Sequence, residues 1–225
     1  MKILIVSATN FEMHPLLNQM GVGSSAEHFI SLKYKNSEID ILITGMGMVP
    51  TAYYVGKKLN ASYDFALNTG ICGSFNANLE IGDVVNITSD CFSELGAEDG
   101  DTFLTLDELN LKGAPTVINN GSHSRRDFFS KHLIELLPKV NGITVNTVHG
   151  NENSIEKAVH KFHPIVESME GAAFMFACEQ ERVPYAQIRA VSNYVERRNK
   201  ESWNIPLAIE NLNKKVLEIL DDLII

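Results

Sequence analysis

The chain has 225 residues, of which 44% are hydrophobic and 21% are charged, and its formal net charge is −9 at pH 7. This length and composition are typical of one folded domain that buries a full core. The negative charge argues against nucleic acid or an anionic membrane as a partner, and the apolar runs are far shorter than the roughly 20 residues that span a bilayer.

The N-terminal apolar run favours a first core strand over a signal peptide. It is only five or six residues long, and the polar residues Asn10, Glu12 and His14 follow at once. The three cysteines, an odd number at wide spacings, indicate reduced thiols and a cytoplasmic location rather than a disulfide framework.

Strand-like and helix-like segments alternate along the chain. Short apolar segments rich in β-branched or aromatic residues predict strands at 3–8, 39–44, 65–68, 84–88, 143–148 and 185–191. Helical patterns lie at 50–59, 126–137, 153 to about 161, 170–181 and 205–223. The alternation predicts an α/β fold with a largely parallel, covered sheet, and we expect residues 1–225 to form one domain.

The polar stretch from residue 93 to about residue 126 is the least regular part of the chain. It is too long for a plain connection between elements. We therefore expect a functional loop region there.

Several common sites are excluded. Gly45 and Gly47 follow a strand as in a dinucleotide fingerprint, but Pro50 stands where the third glycine is needed. His160 and His163, with His149 upstream, lack a further ligand at recognisable spacing, so solvated helix histidines are the better interpretation. There is also no phosphate-binding P-loop and no serine elbow. We expect neither a metal nor a cofactor.

Two glycine-rich turns are expected at strand ends, where ligands bind in parallel α/β sheets. One spans residues 44–47 and contains Met46, and the other spans residues 69–74. Either turn alone is more simply explained as a tight connection. Two of them in one short chain make ligand binding an equal alternative. The candidate binding residues of the second turn are Gly70, Ile71, Cys72 and Gly73.

Three polar residues stand near predicted strand ends, each with a structural alternative. Thr9 and Glu12 have capping-box spacing, so Glu12 could only secure a helix start. Glu170 begins a helix, where a carboxylate suits the positive end of the dipole. Asn193 follows a strand and could form an Asx-turn.

These positions together resemble the nucleoside phosphorylase/nucleosidase superfamily, in order and over nearly the whole chain. The most specific piece is Ser-Met-Glu-Gly-Ala-Ala at 168–173, and the others lie at 2–12, 44–47, 68–74 and 189–193. Segments 94–101, 146–152 and 192–198, with Trp203, narrow the resemblance to futalosine hydrolases, which act in menaquinone biosynthesis. The resemblance implies a single-domain, three-layer α/β fold with a mixed central sheet, and a homodimer with the pocket near the interface.

The resemblance also implies roles for the candidate residues. Glu12 corresponds to the glutamate that activates water, Met169 and Glu170 to the pair that packs under the ribose and binds its hydroxyls, and Asn193 to the purine-contacting position. The related methylthioadenosine/S-adenosylhomocysteine nucleosidases carry Asp at this last position, and they usually read Ser-Ala-Gly where this chain has Ile71, Cys72 and Gly73, so Ile71 and Cys72 differ as well. An adenosine-type substrate is therefore in doubt.

The hydrogen-bonding groups of an Asn side chain favour a 6-oxopurine as the base that Asn193 contacts. An amide offers an NH₂ donor to O6 of hypoxanthine and a C=O acceptor to N7–H. An ionised Asp would repel O6 and leave acceptors unpaired, at a cost of roughly 1–3 kcal/mol each. The sequence thus predicts hydrolysis of futalosine to hypoxanthine, and leaves open an adenine nucleosidase, a phosphorylase or a non-catalytic nucleoside-binding module. Arg197, Arg198 and the loop region after residue 93 are candidates for holding the rest of the substrate.

Overall fold

The computed structural model describes residues 1–23, 27–111, 113, 115–119 and 133–224. Its helices, numbered within those residues, are α1 (Asn10–Gln19), α2 (Met48–Lys58), α3 (Glu152–Phe162), α4 (Gly171–Glu181) and α5 (Ile205–Leu223). Its strands are β1 (Lys2–Ser7), β2 (Phe29–Tyr34), β3 (Ser37–Ile43), β4 (Phe65–Ser74), β5 (Val84–Phe92), β6 (Gly96–Asp99), β7 (Thr102–Thr105), β8 (Val117–Asn119), β9 (Lys139–Thr144), β10 (Val166–Ser168) and β11 (Tyr185–Tyr194).

One mixed sheet organises the described chain. Its strand order is β10-β9-β5-β11-β4-β1-β3-β2, with β8 added to β5, and β6 and β7 form a separate hairpin. Strands β3, β1, β4 and β11 are parallel neighbours, whereas β2 and β5 run antiparallel to β3 and β11. Strand β10 also pairs antiparallel with the end of β4, so β4, β11, β5, β9 and β10 close into a ring.

Helices cover both faces of the sheet and make three layers. Successive residues of β1 point to opposite faces, as a strand requires. Ile3 and Ile5 pack in a core that includes residues of α1 and α5, and Leu4 and Val6 pack in a second core with α2 and α4. The predicted three-layer α/β fold with a mixed sheet is confirmed.

The predicted strands are present, but three of them continue further than expected: β4 through Ser74, β5 through Phe92 and β11 through Tyr194. The strand predicted at 143–148 is displaced, because β9 begins at Lys139 and ends at Thr144. The prediction of a glycine-rich turn at residues 69–74 is wrong because β11 and β10 pair with this segment and keep it extended. Asn193 likewise lies within its strand and does not follow it.

The predicted helices at 50–59, 170–181 and 205–223 correspond to α2, α4 and α5. The helix predicted from residue 153 begins one residue earlier, and its N-cap is Asn151, which accepts from the backbone N–H groups of Asn153 and Ser154. Most of the helix predicted at 126–137 lies outside the described residues, and Leu133–Leu136 forms a 3₁₀ turn.

Helix α1 is tied to α5 by a buried amide. Pro15 interrupts the hydrogen bonding of α1, and the Leu16 N–H donates to Oδ1 of Asn213 at 3.0 Å. The Asn213 Nδ2 group donates to the carbonyls of Glu12 and Ile209, both at 2.7 Å. The amide of Asn213 therefore replaces the interrupted helix bonds and fixes the backbone of Glu12 against α5.

We expect Asn213→Ala to lower the free energy of unfolding by about 2–4 kcal/mol, because it leaves buried backbone groups of α1 without partners, at roughly 1–3 kcal/mol each. Asn211→Ala, in the same helix, removes one half-buried bond to the Gly82 carbonyl and should cost about 0.5–1.5 kcal/mol. Urea unfolding of the two variants measures both values. Equal losses would show that Asn213 does not support α1.

Candidate functional site

A cavity of about 360 Å³ opens at the carboxyl ends of β1, β4, β10 and β11. This is the edge of the sheet where α/β proteins bind ligands. Of the residues that the sequence predicts for the site, those that line the cavity are Glu12, Met46, Ile71, Cys72, Gly73, Met169, Glu170 and Asn193.

Gly70 is the predicted site residue that does not line the cavity. It lies behind the cavity wall, where a Cβ atom would be 2.4 Å from Nη1 of Arg189 and 3.0 Å from Oε1 of Glu12. Glycine at this position therefore leaves room for the two charged side chains, and its contact with a ligand stays a prediction.

The Glu12 carboxylate is buried and receives several hydrogen bonds. Its Oε2 accepts from the Thr9 hydroxyl at 2.8 Å, the Thr9 N–H at 3.0 Å and the Ser7 hydroxyl at 3.2 Å. Its Oε1 accepts from the Ile71 N–H at 3.1 Å. The capping box is thus present, and the same carboxylate also lines the cavity. The capping-box interpretation is confirmed, and the role of Glu12 in activating water stays a prediction.

Burial raises the pKa of Glu12 above its usual value, and the nearby Glu170 carboxylate adds to this. The hydrogen bond from Thr9, the Arg189 guanidinium and the Ile71 N–H act in the opposite direction. A carboxylate with a raised pKa is a stronger base than an exposed one, which suits it to accept a proton from a ligand or from water.

Glu170 is the N-cap residue of α4, but its side chain makes no capping hydrogen bond. Its Oε1 accepts from the Gly47 N–H at 3.1 Å, and its Oε2 lies 3.3 Å from Nη1 of Arg189. The carboxylate is therefore held between the turn before α2 and the guanidinium, with its residue on the cavity wall.

Arg189 is fully buried beneath the cavity and makes three side-chain contacts besides the one to Glu170. Its Nη2 donates to Oδ1 of Asn68 at 2.6 Å, its Nε donates to Oε1 of Gln187 at 3.1 Å, and its Nη1 lies 3.5 Å from the Ile71 carbonyl. The sequence alone predicts no role for this arginine. A buried charge without an ion pair is costly. The contact between Arg189 and Glu170 gives each of these buried charges a partner of opposite sign.

The hydrogen bonds continue from Gln187 to a second buried carboxylate. Gln187 Nε2 donates to Oδ2 of Asp90 at 2.9 Å, and Oδ1 of Asp90 accepts from the Thr144 hydroxyl, also at 2.9 Å. Thr144 Oγ1 in turn accepts from the Ala172 N–H at the start of α4. Burial raises the pKa of Asp90. The network links β5, β9 and β11 to the helix that begins at Glu170.

A bulge in β11 places Asn193 at the cavity. The pairing of β11 with β4 shifts register between Val191 and Asn193, and such bulges change the direction of a side chain. The Asn193 Oδ1 accepts from the Ser192 hydroxyl at 2.8 Å, and its Nδ2 donates to the Tyr194 carbonyl at 2.9 Å. These bonds fix which end of the amide is donor and which is acceptor, and each end keeps capacity for one more bond.

His149 and Glu167 also line the cavity. The histidine Nδ1 lies 2.6 Å from Oε2 of Glu167, and its backbone N–H donates to Oε1 at 3.0 Å. In the sequence, His149 stands out only as a weak metal candidate, and Glu167 has no predicted role. No spacing signal connects two residues on different elements, so only the fold brings them together.

Arg198 and Trp203 line another part of the wall, with the guanidinium 5.2 Å from the indole centroid. Arg197, the other candidate for holding the far end of a ligand, does not line this cavity, and neither does any described residue between 93 and 119. Within the described part of the chain, no cluster of three His, Cys, Asp or Glu could hold a metal ion. None of the helices described is long and apolar enough to cross a membrane.

The arrangement combines acid–base groups with an apolar wall. The cavity wall carries the carboxylates of Glu12 and Glu170, the amide of Asn193 and the imidazole of His149, all among apolar side chains. Such a site can bind a polar ring, orient hydroxyl groups and move protons.

Comparisons of the sequence with known proteins agree on one family. The family model described as "Phosphorylase superfamily" matches residues 2–224. A futalosine hydrolase from Acidothermus cellulolyticus is 30% identical over 77% of this chain and 71% of its own length. A 5′-methylthioadenosine/S-adenosylhomocysteine nucleosidase from Colwellia psychrerythraea is 26% identical over 99% of this chain and 97% of its own.

Solved structures share the fold. Native futalosine hydrolase of Helicobacter pylori superposes with a TM-score of 0.81 at 19% identity, covering 98% of this chain and 97% of that one. A Helicobacter pylori methylthioadenosine nucleosidase mutant with 5′-methylthioadenosine in its active site gives a TM-score of 0.81 at 20% identity, covering 98% of both chains.

Proposed function

The chain belongs to the phosphorylase superfamily and is a purine nucleosidase, and we propose that it hydrolyses the N-glycosidic bond of futalosine, releasing hypoxanthine. The observation that carries the proposal is a single cavity that holds the buried Glu12 carboxylate and, on the same wall, Asn193. A carboxylate with a raised pKa activates water, and the amide selects the purine.

Glu12 is the proposed general base. Cleavage makes the sugar resemble an oxocarbenium ion, which water then attacks at C1′. The Glu12 carboxylate accepts the proton of that water, a contribution of roughly 10²–10⁴-fold to rate. Its hydrogen bonds from Ser7, Thr9 and Ile71 hold it in place before substrate arrives.

Glu170 and Met169 are proposed to hold the ribose. The Glu170 carboxylate accepts hydrogen bonds from the sugar hydroxyls, and these strengthen as positive charge develops on the ring. Its existing contacts with Gly47 and Arg189 fix its direction. Met169 packs beneath the sugar from the cavity wall.

Asn193 is the proposed reader of the purine. Its Nδ2 donates to O6 and its Oδ1 accepts from N7–H, the pattern that hypoxanthine offers. The internal bonds to Ser192 and Tyr194 support this because they hold the amide in one orientation. Met46, Ile71, Cys72 and Gly73 complete the wall around the substrate.

Three other functions are compared with this proposal. An adenine nucleosidase is the second candidate, because the Colwellia relative spans almost the full chain. A phosphorylase would need free cations for phosphate. Among the residues that the structure describes, Arg198 is the only Arg or Lys on the cavity wall, and Arg189 behind it already bonds Glu170. A binding module without activity would keep the nucleoside intact.

We propose that the enzyme is a homodimer through a surface at the cavity mouth formed by Phe11, Met46, Val49 and Tyr53. These side chains are 65%, 69%, 76% and 58% exposed, and Phe11 and Met46 also line the cavity. Large apolar side chains exposed together are typical of interfaces. A second copy of the chain is the occupant that would bury them.

Glu12→Gln should lose about 10²–10⁴-fold in kcat while the substrate still binds, because the amide accepts hydrogen bonds but takes no proton. Stopped assays of hypoxanthine release and equilibrium binding of futalosine measure the two effects. Glu210→Gln, on the exposed side of α5, is the matched control and should keep full activity. Near-normal turnover with a lower Tm would mean that Glu12 serves only the capping box.

The wild-type enzyme should release hypoxanthine from futalosine, without added phosphate, and act poorly on methylthioadenosine and S-adenosylhomocysteine. Asn193→Asp should move the ratio of kcat/KM for futalosine over its 6-amino counterpart toward adenine by about 10–100-fold. The carboxylic acid donates to N7 and accepts from the 6-amino group, and one matched group is worth at most a few kcal/mol.

An unchanged ratio in Asn193→Asp would show that residue 193 does not read the purine. A wild type that prefers the adenine nucleosides would replace the futalosine assignment with the second candidate. Formation of ribose-1-phosphate products in phosphate would make the protein a phosphorylase, and intact nucleoside after long incubation would make it a binding module.

Sedimentation velocity should give twice the chain mass for the wild type. Val49→Asp should shift the mass toward that of one chain, because a buried, unpaired carboxylate opposes association. Leu136→Asp, an equally simple change at an 80% exposed site in another element, should leave the dimer intact. A wild-type mass of one chain would rule out the dimer.

A further inference from the structure

We propose that His149, oriented by Glu167, is the general acid that protonates N7 of the departing purine. The inference rests on the proposed hydrolysis and adds a residue for the leaving group. Asn193 binds the N7–H form of the base, but a neutral amide has no proton to give. The reaction therefore needs a separate proton source near the purine.

The geometry fixes which nitrogen of His149 is available. Both carboxylate oxygens of Glu167 contact His149. Oε2 lies 2.6 Å from Nδ1 of the ring, and Oε1 accepts from the backbone N–H at 3.0 Å. Because Oε2 of the carboxylate accepts from Nδ1, it sets the tautomer and the plane of the ring. No residue in the described part of the chain hydrogen-bonds Nε2, and the ring lies on the cavity wall.

The pair lies at the same end of the cavity as Asn193. Gly73 pairs with Asn193 in β11 and with Glu167 in β10. A Cβ atom on Gly73 would be 3.3 Å from Nδ2 of Asn193 and 3.5 Å from Cγ of Glu167. The purine-reading amide and the His149–Glu167 pair thus flank one glycine, and a base held by Asn193 lies beside this histidine.

The proposed step balances. The C1′–N9 bond breaks, and its electron pair goes to the purine while the Nε2 proton of His149 moves to N7. Water adds its oxygen to C1′ and gives a proton to Glu12. Glu12 then releases that proton to solvent, and His149 takes one from solvent, so the net reaction is nucleoside plus water to ribosyl product plus free base.

Charged groups of both signs share the cavity with the histidine. Glu167 contacts it directly, and Arg198, Glu12 and Glu170 line the same cavity. The proton on His149 is needed for the acid role, so kcat should fall as pH rises and the ring becomes neutral.

The test compares futalosine with its N7-methyl derivative, whose base is already cationic and leaves without protonation. His149→Asn should lower kcat by about 10²–10³-fold on futalosine and by less than about tenfold on the methylated substrate. The alkaline decline of kcat on futalosine should disappear in this variant. His160→Asn, at an exposed position of α3, is the matched control and should match wild type on both substrates.

Equal losses on the two substrates, or an alkaline decline that persists in His149→Asn, would overturn the acid role. If the wild type does not process the methylated substrate, the pH profile on futalosine decides alone. Glu167→Gln gives a second readout: it should lower kcat on futalosine more than on the methylated substrate, because the imidazole loses the carboxylate that orients it, and equal losses would contradict the pair. Wild type that releases no base from either substrate would refute the proposed function itself.

Discussion

The buried guanidinium of Arg189 is the constraint on which the site depends. It is 1% exposed, and a charge at that depth must be paired and hydrogen-bonded or the fold loses several kcal/mol. Its partners come from separate parts of the chain: Asn68 in β4, Gln187 in its own strand and Glu170 at the start of α4. Satisfying one cation therefore fixes the direction of the Glu170 carboxylate on the cavity wall and offsets part of the rise that burial causes in the pKa of Glu12.

The same charge explains why two positions beside it are occupied by glycine. A Cβ at Gly70 would lie 2.4 Å from the guanidinium, and a Cβ at Gly171 would lie 2.2 Å from both Asp90 and Gln187. Both positions border the polar network that continues from Arg189 through Gln187 to Asp90. Their lack of a side chain is a packing requirement of buried charges, since side chains there would push the network apart.

The pairing of β10 with β4 brings a second group of side chains to the cavity. Because β10 returns to pair with β4, the segment around Gly73 has a neighbour on both sides. The bulge in β11 turns Asn193 toward the cavity from one side, and Glu167 brings His149 to it from the other. The carboxylates of Glu12 and Glu170 therefore share one edge of the sheet with Asn193 and His149, which suits a reaction that needs aligned groups at both ends of one bond.

The sequence by itself determined what depends on neighbours along the chain. The capping box of Thr9 and Glu12, the amphipathic α5 and the alternation of strands and helices are local patterns, and the structure contains each of them. Tertiary structure decided the rest. Pairing kept residues 69–74 extended where glycines suggested a turn, and the three-residue strand β10 carries too little pattern to be seen. The contacts of Arg189 with Asn68 and of His149 with Glu167 join residues 121 and 18 positions apart, and no periodicity encodes a contact between side chains whose approach is set by packing.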